Sequence, residues 1–231
     1  MRRPAIALAL LVLVAGVVAF ALHDDEPAPP PARTTTTPQQ EANGPAWPRI
    51  AWRRSRAVGA PNDGRLVRGV QLPAEGPDWF TWDPVLERIP NRAWRRWGTD
   101  RLVHTLLRVL REYRAAHPEA PRVGVADLSR PHGRAFGPRY GGLGHASHQN
   151  GLDADVLYPR RDGRERRAYA PGLVDHALAQ DLVDRFVAAG ARYVFVGPHV
   201  GLHGRRGVVV RLVHHDDHLH VRIRLHEARG G

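Results

Sequence analysis

Two short segments, about sixty residues apart, alternate strictly between apolar and metal-ligating side chains. Leu152, Ala154 and Val156 alternate with Asp153 and Asp155; Leu219 and Val221 alternate with His218 and His220. A period of two is that of a β-strand, whose successive side chains point to opposite faces, so each segment reads as a strand with its apolar side inward. If the two strands are neighbours, Asp155 and His220 meet across the sheet. His148 stands just before the Gly151 turn and can reach the same point from a loop. Two imidazoles and a carboxylate suit a borderline ion such as zinc. Three protein ligands leave a coordination position for water, the arrangement of a catalytic rather than a structural site.

The fuller strings are specific. Gly144-His-Ala-Ser-His-Gln-Asn-Gly-Leu-Asp-Ala-Asp155 and His215-Asp-Asp-His-Leu-His-Val-Arg222 follow Trp97-Gly98-Thr99 and Val125-Ala126-Asp127-Leu128-Ser129 in order, over roughly residues 92 to 224. This series resembles the penicillin-insensitive murein endopeptidases, a branch of the lysostaphin, D-Ala-D-Ala peptidase and Hedgehog group of zinc peptidases. The resemblance implies a Hedgehog/DD-peptidase-like fold, one zinc ion on His148, Asp155 and His220, His215 and His218 as catalytic residues beside the water position, and His145 lining the site. It also implies hydrolysis of peptide cross-links in peptidoglycan, of the D-alanyl to diaminopimelyl type. D-Ala-D-Ala carboxypeptidases of the group carry a Glu three residues before the last zinc histidine, where this chain has Asp217, which favours the endopeptidase branch. A carboxypeptidase or other wall amidase of the same fold, and a non-catalytic peptidoglycan-binding module, are the alternatives. Asp153 and Asp217 read as acceptors that orient histidines rather than as ligands. Spacing leaves open which of His215 and His218 is the base.

The first residues suggest where such chemistry happens. Arg2 and Arg3 precede an uncharged run from Pro4 to Leu22, which His23-Asp24-Asp25-Glu26 ends. Residues 1–22 read as a signal peptide, with Ala19-Phe20-Ala21 as a small-x-small cleavage site, or as a retained N-terminal anchor. Either outcome exports the remainder to the periplasm, cell wall or exterior, with membrane contact only through residues 4–22. The chain has no Cys, so neither a lipidated cysteine nor a disulfide is available. Residues 23–48, with the Pro27 to Pro31 cluster and Thr34 to Thr37, bury too little to fold and read as a linker. Residues 49–231 suit one domain.

Within that domain, apolar spacing predicts a helix over Asp100 to Ala116, capped by Thr99 or Asp100 and followed by Pro118, and a second from about Leu173 to Ala189, stopped by Gly190. Strands are expected at Arg122 to Ala126, Leu152 to Leu157, Arg192 to Val196, Val208 to Val213 and His218 to Leu225. Helices followed by loop-joined strands favour an α+β fold with an antiparallel or mixed sheet. The aperiodic stretch Pro131 to Gly144 would line a cleft.

The formal net charge is +11, and every basic residue is arginine. An exported cationic protein would adhere to anionic wall polymers in addition to peptide stems. No groove-reading motif is present, so nucleic acid is not an expected partner. His104, His117, His176, His199, His203 and His226 read as ordinary surface or core histidines, whereas His132 and His214 are not settled by their context.

Overall fold

The computed structural model describes residues 47–137 and 146–225. The expected export segment, nearly all of the linker and His145 lie outside them. In chain order the elements are β1 (Arg56–Ala60), β2 (Asp63–Val67), β3 (Val70–Gln71), β4 (Trp79–Thr81), β5 (Trp97–Gly98), α1 (Asp100–Ala116), β6 (Val123–Val125), β7 (Asp153–Leu157), α2 (His176–Ala188), β8 (Tyr193–Val196), β9 (Val209–Arg211) and β10 (His218–Arg222). Among the described residues no helix is long and apolar enough to cross a membrane.

Six strands form one sheet in the order β4-β6-β7-β10-β8-β9. Its two outer pairs, β4–β6 and β8–β9, are parallel, and the inner pairs are antiparallel. The expected α+β class is therefore met by a mixed sheet. β1–β2 is a separate hairpin and β3–β5 a separate short ribbon.

α1 has the expected bounds because three signals agree. Thr99 caps it by accepting from Leu102 N–H, Asp100 suits the positive end of the helix dipole, and seven apolar residues from Leu102 to Tyr113 fall on one face. All seven are buried, and each contributes about 1.5–3 kcal/mol relative to exposure. Leu106→Ala at the centre of that face would cost about 2–5 kcal/mol. α2 begins three residues later than expected. Asp175 accepts from Leu178 N–H and starts the helix there, and Pro171–Leu173 form a separate 3₁₀ turn. The expected strands are each present with trimmed ends. Ala154, Val156, Leu219 and Val221 join the α1 and α2 residues in one core, which turns the polar side chains of β7 and β10 to the opposite face.

Arg95 and Asp127 are fully buried and joined by two hydrogen bonds of 2.6 Å. Removing either would strand a charge, at a cost of about 3–5 kcal/mol. The pair anchors residues 126–129 beside β7, where Ala126 N–H donates to Asp155 O and Asp155 N–H to Asp127 O.

Candidate metal centre

β10 and β7 pair so that His220 lies directly opposite Asp155, with His218 opposite Leu157 and Arg222 opposite Asp153. The alternation thus sets Asp153, Asp155, His218 and His220 on one face within reach of each other. His148 arrives from the loop before β7 with φ 69°, a left-handed conformation. Gly151 follows with φ +77°, and a Cβ there would lie 2.8 Å from Leu66 and 3.1 Å from the Thr99 nitrogen, so only glycine makes this turn without strain.

One atom of each of His148, Asp155 and His220 falls within 4.8 Å of the others, and all three residues are buried. His148 donates Nδ1–H to Leu128 O at 2.6 Å, which turns Nε2 to Asp155 Oδ1 at 3.3 Å. His220 donates Nε2–H to Asp153 Oδ1 at 2.8 Å, which turns Nδ1 to the same Asp155 oxygen at 3.2 Å. Each imidazole is thus held by a fixed acceptor on one nitrogen and offers the other inward, the pattern that orients histidine ligands. The donor set fits a metal ion. His218 Nε2 lies 3.6 Å from Asp155 Oδ1, so three imidazoles surround this carboxylate. Burial opposes its ionisation, but His148, His218 and the hydrogen bonds outweigh burial and hold the Asp155 carboxyl well below the usual carboxylate range. Asp153 is likewise lowered against burial by His220 and Arg222, the latter donating Nε–H at 2.6 Å. Burial alone would lower His220, yet its two carboxylates raise it.

The centre closes the inner end of a cleft of about 700 Å³. His215 and His218 stand at its mouth with ring centroids 4.8 Å apart. His218 donates Nδ1–H to Asp217 at 2.7 Å, and Arg167 pairs with Asp217 at 3.3 Å. His215 donates Nδ1–H to Val213 O at 2.8 Å, and burial lowers its pKa. Tyr158, buried under this loop, donates its hydroxyl to His215 O. Leu157, Phe195, Pro84 and Leu212 supply the apolar walls.

The structure brings together every proposed site residue within the described range: His148, Asp153, Asp155, His215, Asp217, His218 and His220. His145 is outside it. Of the unsettled histidines, His214 lines the cleft and His132 does not. The stretch expected to line the cleft is described only to residue 137, and Ala146 and Ser147 just beyond it are lining residues. Sequence reasoning missed Arg167, Arg222 and Tyr158. Arg222 closes the recognised motif, so its place two residues beyond His220 on the same strand face was a usable signal; Arg167 and Tyr158 gave none.

The profile of the penicillin-insensitive murein endopeptidase family matches residues 57–193, from β1 into β8. Comparison with curated proteins finds no match. The matched span holds His148 and Asp155 and ends before His215, His218 and His220; the β7–β10 pairing adds His218 and His220 to the same site, and His215 lines the same cleft. The match covers more than half of the chain, and the chain belongs to the penicillin-insensitive murein endopeptidase family, peptidases that act on peptidoglycan.

Proposed function

We propose that the protein is an exported zinc metallopeptidase that cuts the D-alanyl to diaminopimelyl amide in peptidoglycan cross-links. The observation that carries this reading is the convergence of His148, Asp155 and His220 at the buried end of a cleft whose mouth holds two more imidazoles. Two nitrogen donors and one carboxylate oxygen favour zinc over calcium or magnesium, which prefer all-oxygen sites. Zinc held there would polarise the scissile carbonyl and acidify a water. Export rests on the uncharged run 4–22 behind Arg2 and Arg3. The choice of bond rests on the family.

The chain's own residues handle protons and position. Asp217 on Nδ1 leaves His218 with Nε2 turned to the centre and stabilises the imidazolium that forms when it takes a proton. His218 is therefore the base, and it returns the proton to the leaving amine. His215, whose pKa burial lowers and whose Nδ1–H is spent on Val213 O, offers Nε2 as an acceptor that orients the attacking water or the departing amine. The apolar walls exclude bulk water around this transfer.

The test is digestion of purified peptidoglycan with the muropeptides resolved, in enzyme stripped by chelator and then restored with zinc. Cross-linked dimers falling to monomers only after restoration supports the reading. Loss of terminal D-Ala from monomers would make the protein a carboxypeptidase, and unchanged muropeptides would make it a binding module.

A further inference from the structure

Among the described residues there is a second hollow, of about 350 Å³, that shares no lining residue with the catalytic cleft. It is lined by Gln71 and Trp97 of the β3–β5 ribbon and by Arg49, Ile50, Ala51 and Arg53. Arg49 and Arg53 stand exposed at its rim, Arg96 lines its inner part, and no acidic residue borders it. Trp52 stacks on His104 with ring centroids 3.7 Å apart, and Ser55 donates to Asp100 at 2.6 Å, so the rim segment is fastened to α1 on both sides of Arg53.

Arg96 is the informative residue. It is 9% exposed and donates Nη1–H to Leu72 O at 2.6 Å, while its Nε is shut off from solvent with no hydrogen-bond partner among the described residues. No described carboxylate pairs with Arg49, Arg53 or Arg96. Glu75, just beyond the hollow's wall, is turned away to Arg122 at 3.0 Å. Arg95, one residue earlier and fully buried, shows the contrast: its charge is met in full by Asp127. Two adjacent buried arginines thus differ in that one carries its counter-ion within the fold and the other does not. Burial lowers the pKa of Arg96, and no acidic group offsets it. An uncompensated buried guanidinium is costly, and such departures from a satisfied fold are found at functional sites.

We infer that this hollow binds a phosphomonoester or phosphodiester, with Arg96 as the buried anchor and Arg49 and Arg53 meeting the ligand at the rim. The guanidinium fork matches phosphate oxygens in two-point hydrogen bonding, and the volume accommodates a phosphate with its organic substituent. Such a site would hold the enzyme on a phosphate-bearing surface independently of the cleft, whatever bond the cleft cuts. The same chemistry is offered by a polyol-phosphate wall polymer and by a phospholipid headgroup.

The test uses the full chain. Calorimetric titration with sn-glycerol 3-phosphate at low salt should show one saturable site per chain, weakened at least about tenfold by Arg96→Gln and less by Arg53→Gln. Arg108→Gln, at an exposed position on α1, should leave it unchanged. No saturable binding, or equal weakening by Arg108→Gln, would overturn the site in favour of diffuse charge. If Arg96→Gln fails to fold, the exposed pair Arg49→Gln with Arg53→Gln carries the same test. Retention on poly(glycerol phosphate) and on phosphatidylcholine vesicles containing phosphatidylglycerol is then compared between wild type and Arg96→Gln. A difference on the polymer assigns a wall ligand, a difference on vesicles assigns a headgroup, and a difference on neither overturns the proposal. Peptidoglycan digestion is read separately, so failure of one reading is distinguishable from failure of the other.

Discussion

The two sides of the candidate metal centre are built differently. On the inner side His148, Asp155 and His220 are nearly inaccessible, and the two imidazoles are aimed by Leu128 O and by Asp153 of β7. On the outer side His218 and Asp217 are 21% and 26% exposed at the side chain, and His215 hangs on the carbonyl of its own loop. The inner side has no freedom to follow a substrate, which suits groups that must hold an ion in one geometry. The outer side has room to exchange protons with water and with a leaving group. A cluster of six residues thus divides by burial into holding and reacting halves.

Loss of a holding residue should have the largest effect. Asp155→Ala or His148→Ala removes one of the three proposed ligands, so zinc content measured by atomic emission should fall together with activity, to the background of stripped enzyme. His218→Ala should leave zinc content near wild type while kcat falls about 10²- to 10⁴-fold, the contribution of a general acid-base group. If His218→Ala emptied the site and His148→Ala did not, the division by burial would be wrong. His215→Ala should keep its metal too, with a smaller loss of kcat than His218→Ala, because it has no carboxylate behind it to stabilise a positive ring.

Legibility in the sequence followed the same division. The holding side was readable because β7 and β10 carry it on a strict alternation, and opposite faces of a strand cannot be confused once the apolar set is known. α1 was readable to the residue because cap, charge and apolar spacing agreed. The β3–β5 ribbon was not, since two-residue strands leave no period to detect. The β1–β2 hairpin was missed for another reason: apart from Leu66 its residues are exposed or half-buried, so no apolar face marks it. Within the site, the acceptor that fixes His148 is a backbone carbonyl, to which any residue at position 128 would contribute equally. Arg167 lies in an arginine-rich stretch where sequence cannot distinguish the one that turns inward.

Asp153→Asn sharpens the comparison at the boundary of the holding half. The amide oxygen can still accept from His220, so the ring keeps its direction, but the negative charge that makes the imidazole a stronger donor is lost, as is the countercharge of Arg222. Zinc affinity, measured by competition with a chromophoric chelator, should weaken about 10- to 100-fold, with kcat at saturating zinc changed much less. A large loss of kcat at full occupancy would place Asp153 in the reacting half instead.

The smallest effect is expected at Arg167, which touches neither the ligand group nor a reacting atom. Its ion pair at 3.3 Å restrains Asp217, and Asp217 in turn sets the tautomer and tilt of His218. Both partners are about a quarter exposed, so the pair itself contributes on the order of 1 kcal/mol or less. Arg167→Ala should therefore lower kcat only about two- to fivefold, within the factor that 1 kcal/mol allows, and leave zinc content untouched. The effect should be nearly absent in an Asp217→Ala background, because the arginine acts only through that carboxylate; a double-mutant cycle on kcat measures this directly. Additive losses would mean that Arg167 meets the substrate itself, and the outer half of the centre would then extend one residue further along the cleft than its hydrogen bonds indicate.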